Sequence, residues 1–170
     1  MVDKSLILRT SFRESYGEVV PQFQWEEDPL DGGAECMFPD GSGYAGLFKN
    51  GHFHGEGVFS WADGGRYEGQ WDQDMPLGKG MMLLPEGYRY EGLWVQGNPE
   101  GQGMETLPDG GRYNGNWKGG LKNGEGEMAF ADGKNYKGQW KDELCHGKGV
   151  LVFVDGSIYE GEWCENDMCS

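Results

Sequence analysis

A tyrosine returns at every twenty-third position over most of this chain: Tyr44, Tyr67, Tyr90, Tyr113, Tyr136 and Tyr159. Glycine follows two residues later in each case, at Gly46, Gly69, Gly92, Gly115, Gly138 and Gly161. A large ring follows at four, as Phe48, Trp71, Trp94, Trp117, Trp140 and Trp163. Paired glycines stand eleven and thirteen residues on, from Gly55/Gly57 to Gly147/Gly149. A big apolar residue comes at seventeen (Trp61, Leu84, Leu107, Phe130, Phe153), and an acid-Gly pair ends each unit, as in Asp63-Gly64 and Glu86-Gly87. A fixed period of this length marks an array whose units cannot bury their apolar faces alone and stack to do so.

Each unit reads as a β-hairpin. Tyr-x-Gly-x-Trp alternates at period two, which sets its three marked residues on one face of a strand. The residues at eleven, thirteen, fifteen and seventeen share a face of the second strand by the same rule. Pairing the tyrosine with position seventeen places the tryptophan opposite the glycine at thirteen, where an indole can lie flat across a residue without a side chain. The opposite face is largely polar, with Glu68/Gln70, Asn114/Asn116 and Glu160/Glu162, as an antiparallel sheet allows. The acid-Gly turns join one hairpin to the next. Holding the ring face constant through them favours an odd loop, of three residues.

The run Tyr90-Glu-Gly-Leu-Trp94-Val-Gln-Gly97-Asn-Pro-Glu-Gly101-Gln-Gly103 resembles the MORN repeat, the membrane occupation and recognition nexus. The resemblance covers residues 44–163. A degenerate unit over 21–43 precedes it as a cap, with Trp25 at the ring phase, Gly32, Phe38 and Asp40-Gly41 in phase, and Pro21 and Phe23 replacing the tyrosine and its glycine. Residues 1–20, with Leu6-Ile7-Leu8 and Phe12, form an N-terminal extension, and 164–170 an acidic tail. Asp74, Glu143 and Asn166 replace the glycine expected at position seven and point to altered loops there; Pro76 falls in the first of them. The expected architecture is all-β, an elongated single-layer antiparallel meander of five full units and a half. Two strands per unit at about 4.8 Å give roughly 10 Å per repeat, and a ribbon on the order of 60 Å.

Composition agrees with the period. Of 32 glycines, 24 fill fixed columns of the Tyr-phased units. The 23 aromatic residues exclude a solvated disordered chain, and no Gly-X-Y run makes collagen. The net charge of −15 is spread as −6 over residues 1–43, −5 over 44–158 and −4 over the last twelve. A field of this sign repels phosphate backbones and anionic lipid, which argues against nucleic acid and membrane and favours a basic partner or simple solubility. No apolar stretch approaches the ~20 residues of a membrane helix. Cys36, Cys145, Cys164 and Cys169 lack zinc-site spacing and read as reduced thiols of a cytoplasmic protein.

Apparent chemical motifs dissolve into the repeat. Gly78-Lys79 and Gly147-Lys148 are followed by glycine, not by the Ser/Thr of a phosphate-binding loop. His52 and His54 sit in a hairpin loop without nearby cysteine, and His146 lies four repeats away, so they read as solvated residues and not as metal ligands. Cys145 falls in a loop with no His-Asn/Asp arrangement around it, and nothing locates an apolar pocket for Glu26-Glu27-Asp28. No catalytic residue, cofactor or metal is expected.

What remains is the ring face. Its first role is to brace the sheet. Its second is to receive a partner helix or extended peptide, for which the candidate residues are Tyr67, Trp71, Tyr90, Trp94, Tyr113, Trp117, Tyr136 and Trp140, because buried aromatics dominate interface energetics. The MORN resemblance implies a non-catalytic scaffold in a cytoskeletal or ciliary assembly such as a radial spoke. It also leaves open a phospholipid-binding adaptor or a targeting module of a larger enzyme. A homodimer through an open sheet edge is a further reading.

Overall fold

The computed structural model describes residues 31–169. Pro21, Phe23, Trp25, Glu26-Glu27-Asp28 and the Leu6–Phe12 segment lie outside them. Among the described residues thirteen strands form one open antiparallel sheet, in chain order, with no helix. They are β1 (Asp31–Met37), β2 (Gly43–Lys49), β3 (His52–Ser60), β4 (Arg66–Asp72), β5 (Met75–Leu83), β6 (Arg89–Val95), β7 (Asn98–Thr106), β8 (Arg112–Lys118), β9 (Leu121–Ala129), β10 (Asn135–Lys141), β11 (Leu144–Val152), β12 (Ile158–Cys164) and β13 (Asp167–Cys169). The all-β reading therefore holds. The segment read as a tail contributes β13, a short return strand on β12. Contacts gather the chain into two compact units. The first runs to Pro85 and takes in Leu93–Asn98; the second comprises Glu86–Gly92 and the chain from Pro99 on.

Two turn types alternate. The turn inside a repeat has two residues, since Asp72 pairs with Met75, Lys118 with Leu121 and Lys141 with Leu144. Both turn residues have positive φ, as at Gln73 (50°) and Asp74 (64°), which is a type I′ turn matched to strand twist. Glu143 (74°) and Asn166 (75°) adopt the same conformation as Gly120 (85°), so the replacements leave loop shape unchanged, contrary to expectation. The turn between repeats has three residues, as expected. Trp61 N–H donates to Gly65 O (2.9 Å), Gly64 N–H donates back to Trp61 O (3.0 Å), and Asp63 Oδ1 accepts Gly65 N–H at 2.9 Å. Gly64 has φ +93°, which few side chains tolerate.

The register departs from the expected one by two residues. Tyr44 faces Phe59, at position fifteen, and Gly46 faces Gly57. The pairing then jumps, so that Leu47 faces His54 and Phe48 faces Phe53. The same bulge recurs in β4–β5, β8–β9 and β10–β11. Two residues of the second strand are absorbed there, the position-eleven glycine and the residue after it, as at Gly55 and Glu56. Position seventeen is consequently outside the strand and opens the loop. On the other flank the register is unbroken: Trp71 faces Gly55, Gly69 faces Gly57 and Tyr67 faces Phe59.

The residue lying flat on the glycines is the tyrosine, not the indole. A Cβ on Gly80 would stand 2.1 Å from the Tyr67 hydroxyl, and one on Gly69 would meet the Gly80 Cα at 2.5 Å. Glycine is thus required on both strands beneath the rings of Tyr44, Tyr67, Tyr90, Tyr113 and Tyr136.

Candidate partner-binding face

In the first unit, Tyr67 makes edge-to-face contacts with Trp71 (centroids 4.9 Å apart, 86°) and Trp94 (5.1 Å, 85°). In the second, Tyr113 stands the same way between Trp117 (5.3 Å) and Trp140 (5.2 Å), and Tyr136 between Trp140 (5.2 Å) and Trp163 (5.1 Å). Perpendicular packing sets ring edges against π faces, the favoured aromatic geometry. The polar atoms are satisfied internally. Trp71 Nε1–H donates to Gly57 O at 3.1 Å and Trp94 Nε1–H to Gly80 O at 3.1 Å; Trp117, Trp140 and Trp163 repeat the bond. The Tyr113 and Tyr136 hydroxyls donate to the carbonyls of Asn116 and Gln139, each at 2.9 Å.

The eight candidate rings are therefore engaged by the chain itself. Tyr67, Tyr90, Tyr113 and Tyr136 are each 0% exposed, and Trp71, Trp94, Trp117 and Trp140 between 1% and 6%. Burial raises the phenol pKa of Tyr44 to about 12 and pushes those of Tyr90, Tyr113 and Tyr136 higher still.

Two further columns cover the rings, and a reading of the marked positions alone misses them. Position nine holds Phe53, Pro76, Pro99, Lys122 and Cys145; position fifteen holds Phe59, Met82, Glu105, Met128 and Leu151, and all ten are buried. Constant spacing from each tyrosine was the available signal. Mixed chemistry hid it, since one column contains two prolines, a lysine and a cysteine. Phe53 stacks on Tyr44 at 3.8 Å and 10°.

One half-buried apolar set shares this face. The position-seventeen residues, Phe38, Trp61 and Leu84 in the first unit and Leu107, Phe130 and Phe153 in the second, are half-buried. Phe38 reaches the rings of Phe53 (6.3 Å) and Phe59 (6.2 Å), and Trp61 that of Phe59 (5.3 Å). The opposite face carries exposed ion pairs, such as Arg89 to Glu91 at 2.7 Å, of a kind that contributes little to stability.

In the second unit the core also holds an ionic cluster. Lys122 Nζ lies 2.8 Å from Glu105 Oε2 and 2.7 Å from Glu143 Oε2, with Lys122 and Glu105 almost wholly buried. It also stands over the rings of Tyr113 (5.2 Å) and Trp117 (5.3 Å). Burial opposes the charge, and the two carboxylates outweigh it, so the Lys122 pKa is raised. Tyr88 hydrogen-bonds Glu105, and its phenol pKa is driven far up, chiefly by burial.

Other sequence candidates fall elsewhere than expected. His52, His54 and His146 lie in strands β3 and β11, not in loops. His52 Nδ1 is 2.5 Å from Asp74 Oδ2, and His54 Nδ1 3.2 Å from Asp72 Oδ1. Pro76 is in β5 and buried. Cys145 is buried in β11, with its thiol pKa pushed up by burial to about 11. Cys164 and Cys169, expected as free thiols, are joined in a disulfide, because the β12–β13 turn brings their Cα atoms to 5.9 Å. Among the described residues no group of three or more His, Cys, Asp or Glu is placed to hold a metal.

Comparison with known proteins bears on this geometry. The solved structures it resembles include the TCP domain of Drosophila melanogaster SAS-4 (dCPAP), determined in complex with a proline-rich motif of Ana2 (dSTIL), at 12% identity and a TM-score of 0.45 over 74% of this chain and 69% of that one. The TCP10 domain of Danio rerio CPAP follows at 16% identity and a TM-score of 0.31, over 75% of this chain and 65% of that one. Virginiamycin B lyase of Staphylococcus aureus scores 0.21 at 12% identity, over 81% and 57%. No curated protein matches the sequence. A family model does: that of the MORN repeat matches residues 44–66, 67–87, 90–112, 113–134 and 136–158. With five matched units in the register of the tyrosine period, each read by the structure as a glycine-backed hairpin, the chain belongs to the MORN repeat family.

Proposed function

We propose that this chain is a non-catalytic protein-binding scaffold that holds a helix or extended peptide along its ring-bearing face, within a cytoskeletal or ciliary assembly. The observation that carries the reading is the half-exposed apolar set at position seventeen, Trp61 and Leu84 in one unit and Leu107, Phe130 and Phe153 in the other. It lies on a core whose tyrosines and tryptophans are already satisfied. Trp61, which a partner would meet, already rests edge-on against Phe59 at 5.3 Å and loses little further freedom on binding. A partner therefore meets a preorganised apolar surface, and preorganisation lowers the entropic cost of association. Tyr67, Trp71, Tyr90, Trp94, Tyr113, Trp117, Tyr136 and Trp140 act in this reading by positioning the position-seventeen residues, and touch a partner only where these open. The net charge of −15 favours a partner with basic residues flanking its apolar ones.

The test is quantitative capture of one identified partner from ciliated cells. Trp61→Ser with Phe130→Ser should reduce recovery by about tenfold or more while the far-ultraviolet spectrum is unchanged. Undiminished recovery would remove the ring-bearing face from the function. A tagged copy tests the ciliary assignment separately: diffuse cytosolic signal with no enrichment at the cilium or cytoskeleton would contradict it.

A further inference from the structure

A strictly periodic array has a problem of its own. Shifting one hairpin by 23 residues sets every tyrosine, glycine and tryptophan on an equivalent residue, so the ring ladder cannot tell one neighbour from another. The second unit breaks that equivalence most sharply at one place. Position fifteen is apolar in Phe59, Met82, Met128 and Leu151 but is Glu105 in the repeat of Tyr90. Position nine is Phe53, Pro76, Pro99 or Cys145 elsewhere but Lys122 in the next repeat. Position seven is Glu143 in the repeat after that, where Gly97 and Gly120 stand in others. Tyr88 occupies a position that is Gly65 and Gly111 in neighbouring units. Four departures from the repeat thus meet in one buried cluster, with Lys122 Nζ 2.8 Å from Glu105 and 2.7 Å from Glu143.

We propose that the cluster of Tyr88, Glu105, Lys122 and Glu143 is a register lock, which admits only the native order of the four repeats that supply it. A hairpin from any other repeat, of this chain or of a second copy, would bring Phe, Pro or Cys to the site of Lys122. Glu105, 0% exposed, would then be buried without its cation, an arrangement far more costly than an apolar mismatch. A purely apolar cluster would pack as well in the native order and would penalise the wrong orders less. The lock thus selects among alternatives that the aromatic ladder leaves nearly equal, as single buried polar residues do in coiled coils.

The test compares the full chain with an unlocked variant carrying Tyr88→Phe, Glu105→Met, Lys122→Pro and Glu143→Gly. The last three install residues that other repeats carry at those positions, and the first removes only a hydroxyl. Both chains are unfolded in urea, refolded, and examined by size exclusion with light scattering and by amide NMR. The unlocked chain should unfold at a urea midpoint equal to or above that of the parent. Its fraction of swapped, higher-mass or spectrally heterogeneous species should rise about fivefold or more. Placing the lock one repeat later in that background, with Met128→Glu, Cys145→Lys and Asn166→Glu, should return the chain towards a single species. An unlocked chain that refolds as uniformly as the parent overturns the proposal. One that does not fold overturns it too, because the cluster would then supply stability and not selection.

Discussion

Asp74 Oδ1 accepts the backbone N–H of Phe53 at 2.7 Å, and the Asp74 N–H returns to the Phe53 carbonyl at 3.3 Å. The two residues stand 21 apart, and the pair joins one repeat to the next. Glu143 treats Lys122 in the same way (3.0 and 3.1 Å), and Asn166 treats Cys145 (2.8 and 3.0 Å). Where the earlier residue is proline the later one is glycine: the N–H of Gly97 donates to Pro76 O and that of Gly120 to Pro99 O, both at 3.0 Å. Proline offers no N–H, so a side-chain acceptor would have nothing to receive, and glycine takes the left-handed turn without strain. Where an N–H is present, an Asp, Glu or Asn tolerates positive φ in order to satisfy it.

That complementarity predicts a non-additive cycle at Cys145 and Asn166. Asn166→Gly alone leaves the Cys145 N–H without its acceptor, and Cys145→Pro alone faces the Asn166 carboxamide with a ring. Each should cost about 1 kcal/mol. The double variant reproduces the Pro99/Gly120 junction and should lie within about 0.5 kcal/mol of the parent. Urea denaturation of the four chains measures the coupling.

Beneath the tyrosines the glycines are required sterically. Gly80→Ala sets a Cβ 2.1 Å from the Tyr67 hydroxyl, at a ring that is wholly buried and packed between two indoles. We expect a loss of about 3 kcal/mol or more, comparable to a severe core change. Gly87→Ala, with φ +90° and nothing within 4 Å, should cost only about 1 kcal/mol of backbone strain. Equal losses at the two sites would show that conformational freedom, not close approach, is what these columns need.

The period, the strand composition, the three-residue loops and the family were legible in the sequence, because each rests on a residue type whose local role is fixed: Asp63-Gly64 for the loop, alternation for Tyr67-Glu-Gly69-Gln-Trp71. The register was not legible. It depends on a bulge that absorbs Gly55 and Glu56, and a bulge leaves no mark in a period-two pattern. The fate of the rings was also hidden. Nothing local in Pro76, Pro99 or Met82 says that these side chains are buried on the ring-bearing face while Trp61 and Phe130 stay half-exposed there. Glu105 and Lys122 stand 17 residues apart in different repeats, and nothing in either neighbourhood announces that they pair.

Lys122 links that pair to pH. Removing it by Lys122→Met leaves Glu105 buried and unpaired and should cost about 3–5 kcal/mol at neutral pH. Alkaline stability has a defined direction. The raised pKa of Lys122, and those of Tyr44, Tyr88, Tyr90, Tyr113 and Tyr136, mean that the folded chain keeps protons which the unfolded chain gives up near pH ~10. Their contribution is fully present below that pH and is lost as pH rises above it. Tyrosinate absorbance should therefore lag the titration of a free phenol and then climb together with loss of the folded circular dichroism signal. A smooth titration centred on pH ~10 with the fold intact would contradict the buried ladder.

The placement of the partner is tested most directly by photo-cross-linking of the bound chain. With p-benzoylphenylalanine at position 61 or at position 130, each on the ring-bearing face of its own unit, the account predicts strong cross-links to the partner. The same probe at Glu56 or Glu127, exposed on the opposite face, should give few. Dominant cross-links from 56 and 127, with 61 and 130 silent, would place the partner on the opposite face and contradict the account.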